Sequence, residues 1–171
     1  MVEHQTVIEA SGMKIITNKY DKTYFHKKDN QSVVLLARDG DSFILIRQYR
    51  EPVNDFVVQL PGGGVHPEES LDAAVKREFA EETGLCCEEA MYLGKIYAAS
   101  WMSNDITHVY YSEAVSSGAG QKLEVHEKID VLKIPIAECI EKIKQSVYND
   151  TELCFAVLQV SLRGFLLPDR Q

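Results

Sequence analysis

Three consecutive glycines, Gly62 to Gly64, lead into a helical repeat that ends by crowding Glu78, Glu81 and Glu82 together just before Gly84. In the stretch PEESLDAAVKREFAEETG the residues Leu71, Ala74, Val75 and Phe79 recur at i, i+3, i+4 and i+8, the stripe of a helix that packs on a core. Continued in the same register, Glu78 and Glu82 fall on that inward face, with Glu81 on its flank. The C-terminal end of a helix disfavours anions, and burial raises the cost of charging them. Two readings compete from the helix alone. Either the acids form a solvated face paired with Lys76 and Arg77, or protons or cations neutralise them in a partly dry site. Hard divalent cations with oxygen ligands suit the second, magnesium in particular binding one or two carboxylates together with substrate phosphates and water. The helix is expected from about Glu68 to Thr83, with Pro67 and acids at its start and Gly84 as its stop.

Around this helix the chain reads as strands. TVIEA, MKIIT and TYFHK are short strands separated by turn signals at Ser11-Gly12, Asn18 and Asp29-Asn30. SVVLLAR (32 to 38) and SFILIRQYR (42 to 50) flank Asp39-Gly40-Asp41 and form a hairpin. In the second, Phe43, Leu45, Arg47 and Tyr49 share one face, and Ile44, Ile46, Gln48 and Arg50 the other. A strand over 55 to 60 runs into Pro61 and the glycines, a loop that lets backbone approach a ligand. MYLGKIYA, THVYYSEAV and KIDVLKIPI are further strands. A terminal amphipathic helix begins near Ile136, with a second segment from Glu152 to Phe165. Strands on both sides of a central helix, with helices at the end, imply a mixed α/β sandwich.

The chain has 171 residues, 45% hydrophobic and 26% charged, which fits one domain over 1–171 with a self-sufficient core. Its net charge of -8 excludes a protein that grips nucleic-acid backbone through a basic surface. An acidic protein can still bind phosphates through cations. The N-terminus has no basic and apolar leader, and no apolar run approaches the roughly 20 residues that span a bilayer, so a cytoplasmic protein that does not engage membranes is expected. Cys86, Cys87, Cys139 and Cys154 match neither a disulfide framework nor a zinc knuckle and read as reduced structural thiols.

From Gly63 the chain runs five residues to Glu69, seven more to Arg77-Glu78-Phe79, one to Glu81-Glu82 and one to Gly84-Leu85. This spacing resembles the signature of the Nudix hydrolases, G-x5-E-x7-R-E-U-x-E-E-x-G-U with U a bulky apolar residue. The resemblance implies a Nudix-type α/β/α sandwich with a mixed sheet, a catalytic loop-helix-loop and N-terminal antiparallel strands. It implies cleavage of a pyrophosphate linked to another moiety, with Mg²⁺ or Mn²⁺ as cofactor. Carried over, Glu78 and Glu82 are the principal metal ligands, Glu81 a further ligand or water-orienting base, and the Gly62 carbonyl an extra ligand. Arg77 and Glu69 form the ion pair that orients the acids. Glu127, on a loop after the sheet with Glu124 behind it, is the candidate base from its relative position.

The segment IRQYREPVNDFVVQLPGGGV resembles the ADP-ribose and nucleoside-diphosphate-sugar pyrophosphatase branch. Arg47 and Arg50 would then contact substrate phosphates, and Trp101 and Tyr97 would stack on a base or sugar. Residues 1–30 resemble the extension through which that branch forms homodimers. Two features depart from the branch: Gln59 stands where it has glutamate, and YAASWMSNDITH lacks its proline. A hydrolase of modified nucleoside triphosphates and an inactive nucleotide-sensing module are the competing readings.

Overall fold

Strands that are apolar on both faces need cover on both sides, and the two strongest strands of this chain receive it. The computed structural model describes residues 4–10, 12–125 and 127–166. β1 (His4–Ala10), β2 (Met13–Asn18) and β3 (Thr23–Lys27) make a three-stranded antiparallel sheet of their own. Ser11, half of the first predicted turn, lies outside the described residues. β4 (Gln31–Asp39) and β5 (Ser42–Arg50) form the predicted hairpin, closed by Gly40 at φ 62°. There follow β6 (Asp55–Gln59), β7 (Gly62–Gly64), α1 (Leu71–Thr83), β8 (Leu85–Cys86) and β9 (Met91–Ile96). β10 (Ile106–Ser112), β11 (Ser116–Ser117), β12 (Ile129–Pro135), α2 (Ile136–Lys144) and α3 (Thr151–Leu162) complete the fold.

The main sheet has seven strands in the order β12-β5-β4-β10-β9, with β6 on β5 and β7 on β4. β4 and β10 are parallel and the remaining pairs antiparallel, so the sheet is mixed. Alternation along β4 sends Val33, Leu35 and Ala37 into a core with Ala74, Val75 and Phe79 of α1. Leu36 goes the other way, with Phe43 and Leu45 of β5, into a core with Leu153, Ala156, Val157 and Val160 of α3 and Cys139 of α2. One helix on one face and two on the other give the α/β/α sandwich expected from the sequence.

Two local features place the site. β5 pairs with β4 only from Ser42 to Ile44 and with β6 from Ile46 on, while β4 pairs with β7 at Ser32 to Val34. The sheet therefore splays, and the glycine strand lies in the opening against α1. The helix starts at Leu71, three residues later than the pattern suggests. Glu68 sits at φ 65° outside the helix, and Ser70 caps it by accepting the Ala73 N–H at 3.2 Å. An acceptor at that position satisfies one of the helix's orphan donors, which proline and acids upstream do not.

The N-terminal sheet is stitched to the domain by residues 102–106. Phe25 N donates to Met102 O at 2.7 Å, and the Asn104 side chain accepts from Lys27 N and donates to Lys27 O. Among the described residues no helix is long and apolar enough to cross a membrane, and the four cysteines are free thiols.

Candidate active site

Helix α1 carries the acids, and the glycine strand meets them. Gly62 N donates to Glu82 Oε2 at 2.6 Å, and Glu82 is only 3% exposed. A Cβ on Gly62 would lie 2.0 Å from Val33 O, and one on Gly63 would lie 2.6 Å from Glu78 Oε2. Only glycine lets β7 pass between β4 and the carboxylates.

Arg77 organises the rest. Its Nε and Nη2 hold Glu69 in a two-pronged pair at 2.9 and 2.8 Å, and Nη1 reaches Glu78 Oε1 at 2.7 Å and Glu81 Oε2 at 3.1 Å. Nη2 also donates to Gly64 O at 3.0 Å, so the whole guanidinium fork is engaged. This cation, together with the loop after β11, offsets the cost of acids at a helix C-terminus. Lys122 N donates to Glu81 O and Gln121 Nε2 to Glu82 O, taking two carbonyls that the helix leaves unpaired.

The charges respond accordingly. Arg77 holds Glu69 down to about 2. Burial pushes Glu78 up, against the pull of Arg77. Glu82 is pushed up to about 8, first by burial and then by Glu127 and Glu78, with the Gly62 N–H opposing. Such a group holds its proton near neutral pH unless another cation replaces it.

Two lobes of one cleft open beside the acids. One, about 690 Å³, is walled by Gln48, Arg50, Glu82, Glu127 and Lys128. The other, about 590 Å³, is walled by Lys27, Gln59, Asp105, Thr107, Asp150 and Glu152 among others. Arg50, Gly62 and Gly63 line both. A concavity of about 720 Å³ on another flank of α1, beside Lys76, Glu89 and Glu113, holds none of the signature acids.

Of the residues singled out from the sequence, Glu69, Arg77, Glu78, Glu81, Glu82, Gly62, Arg50 and Glu127 come together here. Glu127 precedes β12, on a loop inside the sheet's connectivity rather than after the sheet, and its Oε2 accepts the Glu124 N–H at 2.8 Å. What the structure ties to Glu82 is the Gly62 amide. Arg47 projects from the opposite face of β5, its guanidinium 4.3 Å from the Phe56 ring centroid, because strand alternation separates it from Arg50. Trp101 is 75% exposed in a turn and Tyr97 stands beside Lys95, and neither is among the residues lining the lobes. The chain supplies that wall with Thr107 of β10 and with Asp150 and Glu152 at the start of α3. Burial raises the Asp150 carboxyl to about 6, and its side chain accepts the Leu153 N–H at 2.9 Å as the helix cap. The only sequence signal for it was an aspartate ahead of a helical pattern, which predicts a cap and nothing more.

The NUDIX domain family model matches residues 26–149. Among curated proteins, the ADP-ribose pyrophosphatase of Bacillus subtilis is 21% identical over 90% of this chain and 84% of its own length. The GDP-mannose pyrophosphatase of Cronobacter sakazakii is 25% identical over 86% and 81%. The methanol dehydrogenase activator of Bacillus methanolicus is 26% identical over 78% and 72%. A solved structure described as an ADP compounds hydrolase superposes with a TM-score of 0.82 at 17% identity, over 96% of this chain and 94% of that one.

Proposed function

The chain belongs to the Nudix hydrolase family, and from that premise we propose that it hydrolyses the pyrophosphate bond of ADP-ribose or a related nucleotide sugar with a divalent cation at Glu78, Glu81 and Glu82. The observation that carries this reading is the two-lobed cleft joined at Arg50, Gly62 and Gly63, with the buried Glu82 in one lobe and a second chamber lined by Asp105, Thr107, Asp150 and Glu152 beside it. A diphosphate at the junction would place its linked moiety in the chamber. Asp150 and Glu152 there offer acceptors to hydroxyl groups and disfavour further phosphates, while Asp105 is already paired with Lys27 at 3.0 Å. That favours a sugar over a triphosphate tail.

The donor set fits a hard divalent cation, since it consists of carboxylate oxygens that burial leaves in need of neutralisation. Among the described residues no three ligand side chains already surround one point. Glu78 and Glu81 rest on Arg77, and Glu82 on the Gly62 amide. When bound, such a cation screens the diphosphate and acidifies a water molecule. The chain's own residues do the rest. Glu69 keeps Arg77 in place, and Arg77 presents Glu78 and Glu81. The Gly62 carbonyl is a further ligand, and Arg50 takes the diphosphate. Glu127, whose charge is felt by Glu82 and Glu78, accepts the proton of the attacking water. The exposed Val7 and Ile8 of β1, at 58% and 55%, support homodimer formation through the N-terminal sheet, which light scattering on the eluting protein would test. The free thiols suit a reducing, cytoplasmic setting.

Purified protein with Mg²⁺ should convert ADP-ribose to AMP and ribose 5-phosphate, with GDP-mannose as the parallel substrate, and EDTA should stop both reactions. Cleavage of nucleoside triphosphates alone would transfer the protein to the competing hydrolase reading. Binding without turnover under any divalent metal would make it a sensor.

A further inference from the structure

Arg77 and Arg50 both serve this cleft, and the chain treats them differently. The whole Arg77 fork is bonded to protein acceptors. The Arg50 guanidinium makes a single hydrogen bond among the described residues, from Nε to Gln59 Oε1 at 3.0 Å. Nε can only donate, so the amide oxygen must be the atom that faces it, and the terminal guanidinium nitrogens keep all their donors. Arg50 lines both lobes, and its charge is felt by Glu82 in one and by Asp150 in the other. Among the described residues it forms an ion pair with neither.

The register of β5 and β6 shows what this bond does. Arg50 stands opposite Asp55 at the end of the ladder, and Gln59 stands opposite Ile46, further back along β5. Cross-strand partners and alternate residues share a face, so Arg50 and Gln59 project to the same side. To reach Gln59 the Arg50 side chain folds back along that face towards the glycine strand, away from Asp55 and Glu51, two acids that would otherwise attract it. Gln59 is only 8% exposed and its backbone is held in the ladder, so the acceptor is fixed in place. A glutamate there would accept the same N–H but offset the charge of Arg50, and an apolar residue would leave Nε without its acceptor. We propose that Gln59 is a positioning residue for substrate: its neutral amide holds Arg50 at the junction of the lobes and leaves the terminal nitrogens and an uncompensated charge for the diphosphate. The inference rests on the proposed function and goes beyond it by adding a residue outside the signature helix, one that acts through Arg50.

The test measures steady-state hydrolysis of ADP-ribose with Mg²⁺ by the native chain, Gln59→Met, Gln59→Glu, Arg50→Ala and the double variant Arg50→Ala/Gln59→Met. Methionine keeps the length without the acceptor, and glutamate keeps the acceptor but adds a charge. Both Gln59 variants are expected to raise KM by about tenfold, as the loss of one charged hydrogen bond to substrate does, with kcat close to native. The double variant should have the KM of Arg50→Ala alone, because the amide acts only through that guanidinium. Native KM in Gln59→Met or in Gln59→Glu, while Arg50→Ala has raised it, overturns this inference alone, as do effects of Gln59→Met and Arg50→Ala that multiply in the double variant. A fall in kcat at native KM, or loss of the fold in both Gln59 variants, assigns the amide a structural role and overturns the inference too. Native KM in Arg50→Ala removes the phosphate role of Arg50 and the inference with it, and a native chain that leaves ADP-ribose uncut overturns the proposed substrate as well.

Discussion

Replacing Glu82 by glutamine should stabilise the metal-free protein while abolishing most of its activity. Burial raises the Glu82 carboxyl from 4.5 to about 8, so the folded state holds this proton more tightly than the unfolded chain does. The contribution to stability is complete below 4.5 and is lost as pH rises towards 8, because the unfolded chain ionises while the folded one resists. At pH 7 the unfolded carboxyl is about 2.5 pH units past its midpoint, at about 1.4 kcal/mol per unit, a destabilisation on the order of 3 kcal/mol that glutamine does not suffer. For a chain of this size that corresponds to about 6 to 12 °C in Tm. Glu78, also raised by burial, acts in the same direction, whereas Glu69, held at about 2, adds nothing that changes above pH 5. Scanning calorimetry in EDTA at pH 5, 6, 7 and 8 should show Glu82→Gln melting above the native protein, by a margin that grows with pH and closes towards pH 4.5. With Mg²⁺ restored, turnover should be lower by orders of magnitude. Parallel melting curves across this range would refute the claim that Glu82 is buried with its proton.

Three further substitutions separate the roles argued above. Gly63→Ala places a methyl group 2.6 Å from Glu78 Oε2, so kcat should fall at least about tenfold with native circular dichroism; native kcat in a folded variant would contradict the contact. Arg77→Lys cannot keep both prongs on Glu69 and also reach Glu78 and Glu81. Its rate should fall by about 10 to 100-fold, read from Mg²⁺ titrations of initial velocity. Arg50→Ala should raise KM, because Arg50 lines both lobes. Arg47→Ala, a surface change at a ring stack, should leave KM unchanged and move stability by no more than about 0.5 kcal/mol; steady-state kinetics on the pair decides between the two arginines.

Periodicity made most of the architecture legible. Val33, Leu35 and Leu36 are apolar in succession because β4 is covered on both sides, and the Leu71 to Phe79 stripe identified the face of α1 that meets the sheet. The helix starts later than its pattern suggests because Pro67 and the acids resemble a first turn, whereas the cap is Ser70. Trp101, an aromatic residue in a loop, reads from the sequence as a stacking partner and stands exposed. The residues that follow it are tied to β3 through Met102 and Asn104, a contact between segments far apart in the chain.

The acids, their spacing and the helical face that carries them are written in the linear order of residues, because 3.6 residues per turn translate spacing directly into direction. The same linear order places Arg47 and Arg50 on opposite sides of β5. Tertiary structure alone decided which side holds the cleft, since the answer depends on β4 and β5 splaying around the glycine strand. It likewise decided that Asp150, Glu152 and Arg50 face the same cleft as Glu82. These groups lie on elements up to about a hundred residues apart, and no local period connects them. The protonation of Glu82 belongs to the same class, because it follows from what surrounds the carboxyl in space rather than from its neighbours along the chain.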